Sequence, residues 1–226
     1  MKSLQYEGIY DIFLKSTAGS LGERVSEALR SAIIDHLLQP GERLVEAKLA
    51  KALNVSITPV RYAFTQLSKE GLIDIYPYCG TNVKVLTKEF VREVCGVRAL
   101  LECEAAKVAF ENITSEDIET LRRQVELLSN PMDSFTSLRA ACQADTRFHD
   151  LIFERSGNKT LIQFWEMLRS RMEFITSFTK IRTDCALQKR RHMMLVEDLQ
   201  ARNREKFLAD IYDHCINANF EYFIDG

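Results

Sequence analysis

The fold of the first third of the chain is decided by residues 40–61, which read PGERLVEAKLAKALNVSITPVR. Pro40-Gly41 ends any helix that precedes it, and Asn54 separates one short apolar-periodic segment from the next. Ser56 is placed to cap the second segment with its hydroxyl, and Pro59 falls in the first turn, where a missing N–H costs nothing. The stretch therefore predicts a short helix, a tight turn and a longer helix.

The sequence on either side extends this pattern to a winged helix-turn-helix. Apolar residues at four-residue intervals between positions 21 and 38 predict an amphipathic helix before the stretch. After it, Gly71 ends the third helix, and residues 72–76 and 82–85 predict two short strands around a glycine-containing turn. Spacing alone leaves one alternative open, which is a three-helix subdomain with an unrelated hairpin.

The N-terminal end of the third helix carries the expected DNA contacts. A helix in the major groove presents its first turn, with free N–H groups and the positive end of its dipole, to phosphates and base edges. We expect Thr58 and Arg61 to make these contacts, with Ser56 divided between capping and a phosphate bond. In the wing, three residues are placed to approach the DNA backbone, donate to phosphate or reach the minor groove: Gly80, Thr81 and Asn82.

Composition and charge divide the chain into two parts. Hydrophobic residues make up 46% and charged residues 27%, which is typical of a globular protein with a real core and argues against disorder. The net charge of −2 taken alone argues against nucleic-acid binding, but residues 21–88 carry nine Lys/Arg against seven Asp/Glu. A mildly basic module joined to an acidic one fits a DNA reader attached to a different kind of domain.

The location of the protein is predicted from what the sequence lacks. It has no stretch of about 18 uncharged apolar residues, and acidic and polar residues interrupt positions 1–13, where a signal peptide needs an apolar centre. We therefore expect a cytoplasmic protein with no membrane partner. The six cysteines form no CxxC pair, which predicts reduced packing residues.

The rest of the chain predicts an all-helical domain. Proline and glycine become scarce after residue 88, and six segments show helical spacing, at 88–111, 115–129, 134–155, 159–182, 187–202 and 204–223. We expect a mainly α protein, with an N-terminal winged helix-turn-helix and a C-terminal antiparallel all-helical bundle. The predicted boundaries are an N-terminal extension at 1–20, the DNA-binding domain at 21–87 and the helical domain at 88–226.

Three of the four histidines lie in the helical domain. Asp145 and His149 are four residues apart, which places both on one helix face, while His192 and His214 lie in the last two helices. Three imidazoles and one carboxylate that converge inside a bundle suit Zn, Ni, Fe or Mn and leave positions open for water or a ligand's oxygens. Histidines on helices are more often packed or solvated than bound to metal, so that alternative stays open at this point.

Several motifs in order closely resemble the DNA-binding domain of the GntR family of regulators. They are Pro40-Gly41-Glu42-Arg43-Leu44, Leu49-Ala50, Asn54-Val55-Ser56-Ile57-Thr58-Pro59-Val60-Arg61, Glu70-Gly71-Leu72 and Gly80. The resemblance adds Arg43, Ile57 and Pro59 to the DNA-facing residues. The family usually has arginine at the position of Ile57, and often a basic residue at that of Tyr78 or Cys79, so we predict a weaker or differently specified operator.

The second domain resembles the FCD-type ligand-binding domain of one branch of this family, in its short six-helix subgroup. The motifs that carry the resemblance are Arg98-x-x-x-Glu102, Asp145-x-x-x-His149, Ser156-Gly157-Asn158, His192 and His214. It implies that Asp145, His149, His192 and His214 hold a divalent metal, with zinc the first choice over Ni, Mn or Fe, and that a small carboxylate effector binds beside it.

Arg98 and Glu102 are the candidate effector-binding residues. A guanidinium offers a fixed two-pronged donor to a carboxylate, which makes Arg98 suitable for an organic acid. An internal salt bridge to Glu102, one helical turn on, is the equal alternative.

The resemblance implies a ligand-responsive homodimer on a palindromic operator in double-stranded DNA, and a repressor, since release of DNA by the effector is commoner in this family. A metal-dependent enzyme that uses the same Asp and three His is the rival from another class, but no HExxH or similar motif supplies a general base. The third hypothesis is a constitutive DNA binder whose metal is structural. We expect no enzyme and no catalytic residues.

Overall fold

The computed structural model describes residues 2–128, 135–180 and 185–217. The chain forms two compact units, which meet in sequence between Leu86 and Thr87. Helices dominate both units, and one small sheet lies in the first. The predicted fold class, a winged helix-turn-helix followed by a helical bundle, is confirmed.

The first unit contains four helices and three short strands. They are α1 (Lys2–Lys15), α2 (Leu21–Ile34), β1 (Arg43–Leu44), α3 (Glu46–Ala52), α4 (Ile57–Lys69), β2 (Ile73–Tyr76) and β3 (Gly80–Val83). The sheet is antiparallel with strand order β1-β3-β2, so that Thr81 of the middle strand pairs with Leu44 on one side and Ile75 on the other.

Helices α2 and α4 form the core of this unit because each carries an apolar stripe at helical spacing. Ser20 begins α2 with a capping box, in which its hydroxyl accepts from the Glu23 N–H and the Glu23 side chain accepts from the Ser20 N–H. The predicted inward-facing residues of α4, Val60, Phe64 and Leu67, are all buried.

Four local details differ from the sequence-based expectation. The second wing strand, predicted at 82–85, spans Gly80–Val83, because Gly80 and Thr81 already pair with β2. Ser56 is the N-cap residue of α4, but in the described structure its side chain makes no cap hydrogen bond. Strand β1 has only two residues and no alternation that a sequence pattern could detect. Residues 2–15, for which we predicted no element, form α1, whose Ile9 and Phe13 are buried.

The second unit has six described helices, as predicted. They are α5 (Lys88–Asn112), α6 (Ser115–Leu127), α7 (Phe135–Ser156), α8 (Lys159–Lys180), α9 (Cys185–Gln200) and α10 (Arg204–Asn217). The helix ends predicted at 129, 134, 182 and 223 lie outside the described residues. None of the described helices is both long and apolar enough to cross a membrane.

Helix α5 is central to this unit, since α7, α8 and α10 all pack on it. Its inward positions include Ala105, Ala106 and Ala109, whose small side chains allow neighbouring helices to approach closely. Gly157 ends α7 in the left-handed conformation, with φ of +64°, which favours glycine over other residues. These contacts bring one face each of α5, α7, α9 and α10 to the centre of the unit.

Asp117 joins the beginning of α6 to the end of α7. Its carboxylate completes a capping box with Thr114 and accepts two hydrogen bonds from Arg155, at 2.7 Å from Nε and 2.6 Å from Nη2. The hydrogen bonds from Arg155, with those from Thr114, outweigh the effect of burial and hold the pKa of Asp117 well below its usual range. The charged form of Asp117 therefore stabilises the folded state.

We expect Asp117→Asn to lower the free energy of unfolding by about 2 kcal/mol at pH 7, because it removes charge-assisted hydrogen bonds to a buried group. A carboxyl whose pKa is depressed by folding stabilises fully above its usual pKa, and the contribution is lost progressively as the pH falls from about 4 toward the lower pKa of the folded state. Urea denaturation at pH 7 and pH 3.5 compares the full contribution with the beginning of this loss. The exposed Glu119→Gln on the same helix is the control, and an Asp117→Asn deficit that stays constant with pH would contradict the assignment.

Candidate functional site

The first turn of α4 forms an exposed polar surface. Ser56, Thr58 and Arg61 are exposed, while Pro59 is buried and contributes backbone geometry only. Ile57 is 41% exposed, so an apolar side chain stands on this surface at the position where the resemblance leads one to expect arginine. The surface has the free N–H groups of a helix N-terminus but few cations.

Arg61 of α4 forms an ion pair with a residue of α3. Its Nε donates to Oε2 of Glu46, the first residue of α3, at 2.8 Å. The Arg61 side chain is 69% exposed, and an ion pair in such an environment is worth at most about 1 kcal/mol. A phosphate can therefore replace Glu46 as the partner of Arg61 at little cost.

The cation beside the wing comes from a residue outside the hairpin. Residues 73–83 contain no Lys or Arg. Gly80 has φ of +108°, and a Cβ atom at this position would lie 3.1 Å from Nη2 of Arg43 on β1. The guanidinium of Arg43 therefore lies across Gly80, and this residue makes room for Arg43 in addition to any approach to DNA.

The other two predicted wing residues differ in accessibility. Thr81 is only 8% exposed, at the centre of the sheet, whereas Asn82 is half-buried. Tyr78, at the turn, is fully exposed and has a φ of +65°, which is uncommon for a bulky residue. The turn of the wing therefore exposes an aromatic side chain, and the guanidinium of Arg43 lies beside Gly80, directly after the turn.

The second unit brings together all four predicted metal ligands. His149 of α7, His192 of α9 and His214 of α10 are buried, and one ligand atom of each lies within 4.8 Å of the others. Asp145 lies one turn before His149, and its Oδ1 is 3.2 Å from Nε2 of His192. Each histidine lies on a different helix, and His149 precedes His192 by more than forty positions. Packing of the helices in the bundle therefore assembles the cluster.

Neighbouring oxygen atoms orient two of the imidazoles. Nδ1 of His149 contacts Oε1 of Glu102, and Nδ1 of His192 lies 2.9 Å from the carbonyl oxygen of Gln188. Each Nδ1–H therefore donates to an oxygen, which leaves the lone pair on Nε2 facing the cluster. His214 directs Nε2 toward Nε2 of His149 at 3.3 Å, and no residue in the described part of the chain hydrogen-bonds to its Nδ1.

Burial around the cluster favours a neutral His214. Burial, together with the nearby His192 and His149, lowers the pKa of His214 well below the usual value for histidine. Burial alone would raise the pKa of Glu102, but His149 and Arg98, which both contact its carboxylate, lower it to about 2. The cluster thus holds a neutral His214 beside an ionised Glu102.

This donor set fits a divalent metal ion. Three imidazoles and one carboxylate are ligands that Zn, Ni, Mn and Fe accept, and the buried Nδ1 of His214 lacks a partner within the described residues. Carboxylate and carbonyl acceptors behind metal-bound histidines orient the rings in known metal sites. Glu102 and the carbonyl of Gln188 occupy these supporting positions here.

Arg98 and Glu102 form the internal ion pair that the sequence left as one of two alternatives. Nε of Arg98 donates to Oε2 of Glu102 at 2.9 Å, and both side chains are almost completely buried. Sequence reasoning missed two further contacts of Glu102, with His149 and with the thiol of Cys215 at 3.2 Å. These partners are 47 and 113 positions away, and no local pattern indicates such a contact.

A small pocket of about 80 Å³ lies between α9 and α10 and includes His214 in its wall. The other lining residues are Arg191, Met194, Asp210 and Asp213. The pocket therefore borders the cluster at His214.

A winged helix-turn-helix followed by a helical bundle with a buried cluster of candidate metal ligands is the architecture of a class of proteins, the ligand-responsive transcription regulators. Two family models match the chain. Residues 21–83 match the model described as bacterial regulatory proteins, gntR family, and residues 93–216 match the FCD domain. The chain belongs to the GntR family of bacterial regulators, in the branch that carries an FCD domain.

Similar proteins agree with this assignment. The uncharacterized HTH-type transcriptional regulator YdhC of Bacillus subtilis (strain 168) is 27% identical over 189 residues, which cover 82% of this chain and 84% of YdhC. The gluconate operon transcriptional repressor of the same strain is 30% identical over 167 residues, or 72% of this chain and 67% of the repressor. A putative GntR regulator from Rhodococcus sp. RHA1 shares the fold, with a TM-score of 0.73, 22% identity and coverage of 90% and 98%.

The assignment decides the coarse function. A GntR-type helix-turn-helix implies DNA binding, and an FCD domain implies binding of a small-molecule effector. The matching families and relatives are transcription regulators, so this protein is a regulator and not an enzyme.

We expect Glu102→Gln to destabilise the metal-free protein by about 3 kcal/mol, because the substitution leaves the buried Arg98 without a negative partner. Chemical denaturation after dialysis against a chelator measures this loss. Glu104→Gln removes the partner of Lys107 in an exposed pair on the same helix and is the matched control, expected to change stability by less than about 1 kcal/mol. Equal effects of the two variants would show that the buried network contributes nothing beyond a surface pair.

Proposed function

We propose that the protein is a repressor that senses a small organic acid beside a divalent metal. The observation that carries this proposal is the convergence of Asp145, His149, His192 and His214, with Glu102 behind His149. One ligand atom of each of the three buried histidines lies within 4.8 Å of the others, which is close enough for one ion to contact all three.

Asp145, His149, His192 and His214 would hold the ion, with zinc as the first choice over Ni, Mn and Fe. The bound ion would supply a positive centre to which a carboxylate oxygen of the effector binds. Arg98, from the neighbouring helix α5, is the second positive group at the site. Two cationic groups at one site favour an anionic ligand, and a carboxylate matches both partners.

The DNA-binding role is proposed for the exposed surface of the first unit. Thr58 and Arg61, with Ser56 and the N–H groups of the helix terminus, would contact phosphates and base edges, and Arg43 and Asn82 would contact the backbone from the wing. Ile57 cannot form the bidentate contact with guanine that an arginine makes. We therefore expect an operator that differs from those of relatives with arginine at this position.

A homodimer would place two such surfaces on a palindromic operator. Helices α5 and α8 pack together, and both expose large apolar side chains to solvent, among them Leu100 and Val97 on α5 and Met167 and Phe164 on α8. We infer that a second copy of the chain covers them. Effector binding would then change the arrangement of the two DNA-binding surfaces, with a coupling free energy between effector and DNA binding of about 1 to 3 kcal/mol.

We expect wild-type protein to contain about one metal ion per chain, measured by elemental analysis after purification without chelators. His149→Ala/His214→Ala should contain none, because it loses two of three imidazole ligands. His36→Asn is the matched control, since His36 lies outside the cluster and asparagine tolerates its positive φ of 61°.

The same three proteins are then heated with a panel of small carboxylic acids. The sensor proposal predicts that at least one acid raises the Tm of wild type and His36→Asn but not of the double variant. Metal without any acid response would favour a structural metal in a constitutive DNA binder. Absence of metal from wild-type protein would overturn the proposed site and leave the DNA-binding function intact.

We expect Arg43→Ala and Arg61→Ala each to weaken DNA binding and to reduce the slope of log K against log salt by about 1, because each removes one phosphate contact. The measurement is fluorescence anisotropy on a duplex that wild-type protein selects from a random-sequence pool. Lys107→Ala removes an exposed cation from the second unit and should leave the slope unchanged. If all three variants change the slope equally, the effect is one of net charge and the assigned surface is wrong.

A further inference from the structure

We propose that Arg98 competes with the metal for His149, and that an effector carboxylate relieves this competition by accepting the displaced guanidinium. This inference rests on the proposed metal site and adds a role for Arg98 in the order of binding. In the metal-free protein, Arg98 would donate a hydrogen bond to Nε2 of His149, the atom that the metal needs as a ligand.

The geometry around His149 carries the inference. Nη2 of Arg98 lies 2.5 Å from Nε2 of His149. Because Glu102 accepts the proton on Nδ1, Nε2 of His149 carries the lone pair and accepts a hydrogen bond from Arg98. A metal ion on His149 would use this same lone pair, so the hydrogen bond and the coordinate bond exclude each other.

Charge adds to this exclusion. A guanidinium stays protonated in proteins, and Arg98 is only 2% exposed, so solvent screens little of its charge. A divalent ion on His149 would therefore repel Arg98 as well as displace it. The Nε–H of Arg98 remains bonded to Glu102 at 2.9 Å, which keeps the side chain at the site while its Nη2 turns away.

The displaced Nη2 needs a new acceptor. A buried N–H without a hydrogen-bond partner is costly, and a charged one more so. A carboxylate bound to the metal would present its second oxygen beside the guanidinium, in the two-pronged geometry that arginine favours. Metal and carboxylate should thus bind cooperatively, and each should raise the affinity for the other by the same factor.

The test measures zinc affinity by competition with a chromophoric chelator, first without any carboxylate. Arg98→Met alone would leave Glu102 buried and unpaired, so the variants are Glu102→Gln and Arg98→Met/Glu102→Gln. Both lack the carboxylate, and only the first keeps the guanidinium. We expect the double variant to bind zinc at least about tenfold more tightly than Glu102→Gln, within the usual range of coupling between sites.

Acetate is then added at about 100 mM as the simplest carboxylate, with the chelator alone as the blank. Wild-type affinity for zinc should rise about fivefold or more, whereas that of the double variant, in which acetate can bind only the metal, should rise clearly less. Equal zinc affinities of the two variants would overturn the competition, and a wild type that gains no more from acetate than the double variant would overturn the relief by carboxylate. Failure of wild type to bind zinc at all would instead reject the proposed metal site.

Discussion

The carboxylate of Glu102 is the group on which the second unit depends. It is completely buried, and it accepts from Arg98 on its own helix, from His149 on α7 and from Cys215 on α10. An isolated buried carboxylate would be severely destabilising, so its ionised form persists only because these donors surround it. The same contacts fix three helices relative to one another and orient His149, which makes the stability of the bundle and the geometry of the cluster a single property.

The parts of the structure that were predictable from the sequence are those in which the decisive contacts are local. The helices of the first unit follow from apolar spacing and from Pro40, Gly41 and Gly71, and Asp145 with His149 follows from one helical turn. Strand β1 could not be predicted, because its two residues are a strand only through pairing with β3 some forty positions away. The role of Glu102 has the same origin, since its partners lie on other helices.

Two arginine–glutamate pairs show how burial alone separates the two functions of the chain. Arg61 and Glu46 are exposed, so water and salt weaken their attraction, and Arg61 can exchange its partner for a phosphate. Arg98 and Glu102 have the same chemistry but almost no exposure, so neither can lose its partner without a replacement. The exposed pair suits reversible contact with a polyanion, and the buried pair suits a site that responds only to particular ligands.

A regulator of this kind must convert the binding of a small molecule into a preference between arrangements, and it can shift the equilibrium only by the difference in affinity that the ligand has for them. A site whose polar groups made no contacts with one another would bind a ligand with little consequence for the surrounding helices. Here the groups at the centre are partners of one another, and Arg98, Glu102 and His149 belong to two different helices. Any ligand that binds Nε2 of His149 must therefore change the contacts of Arg98 on α5. In this way a local binding event would affect the packing of the helices.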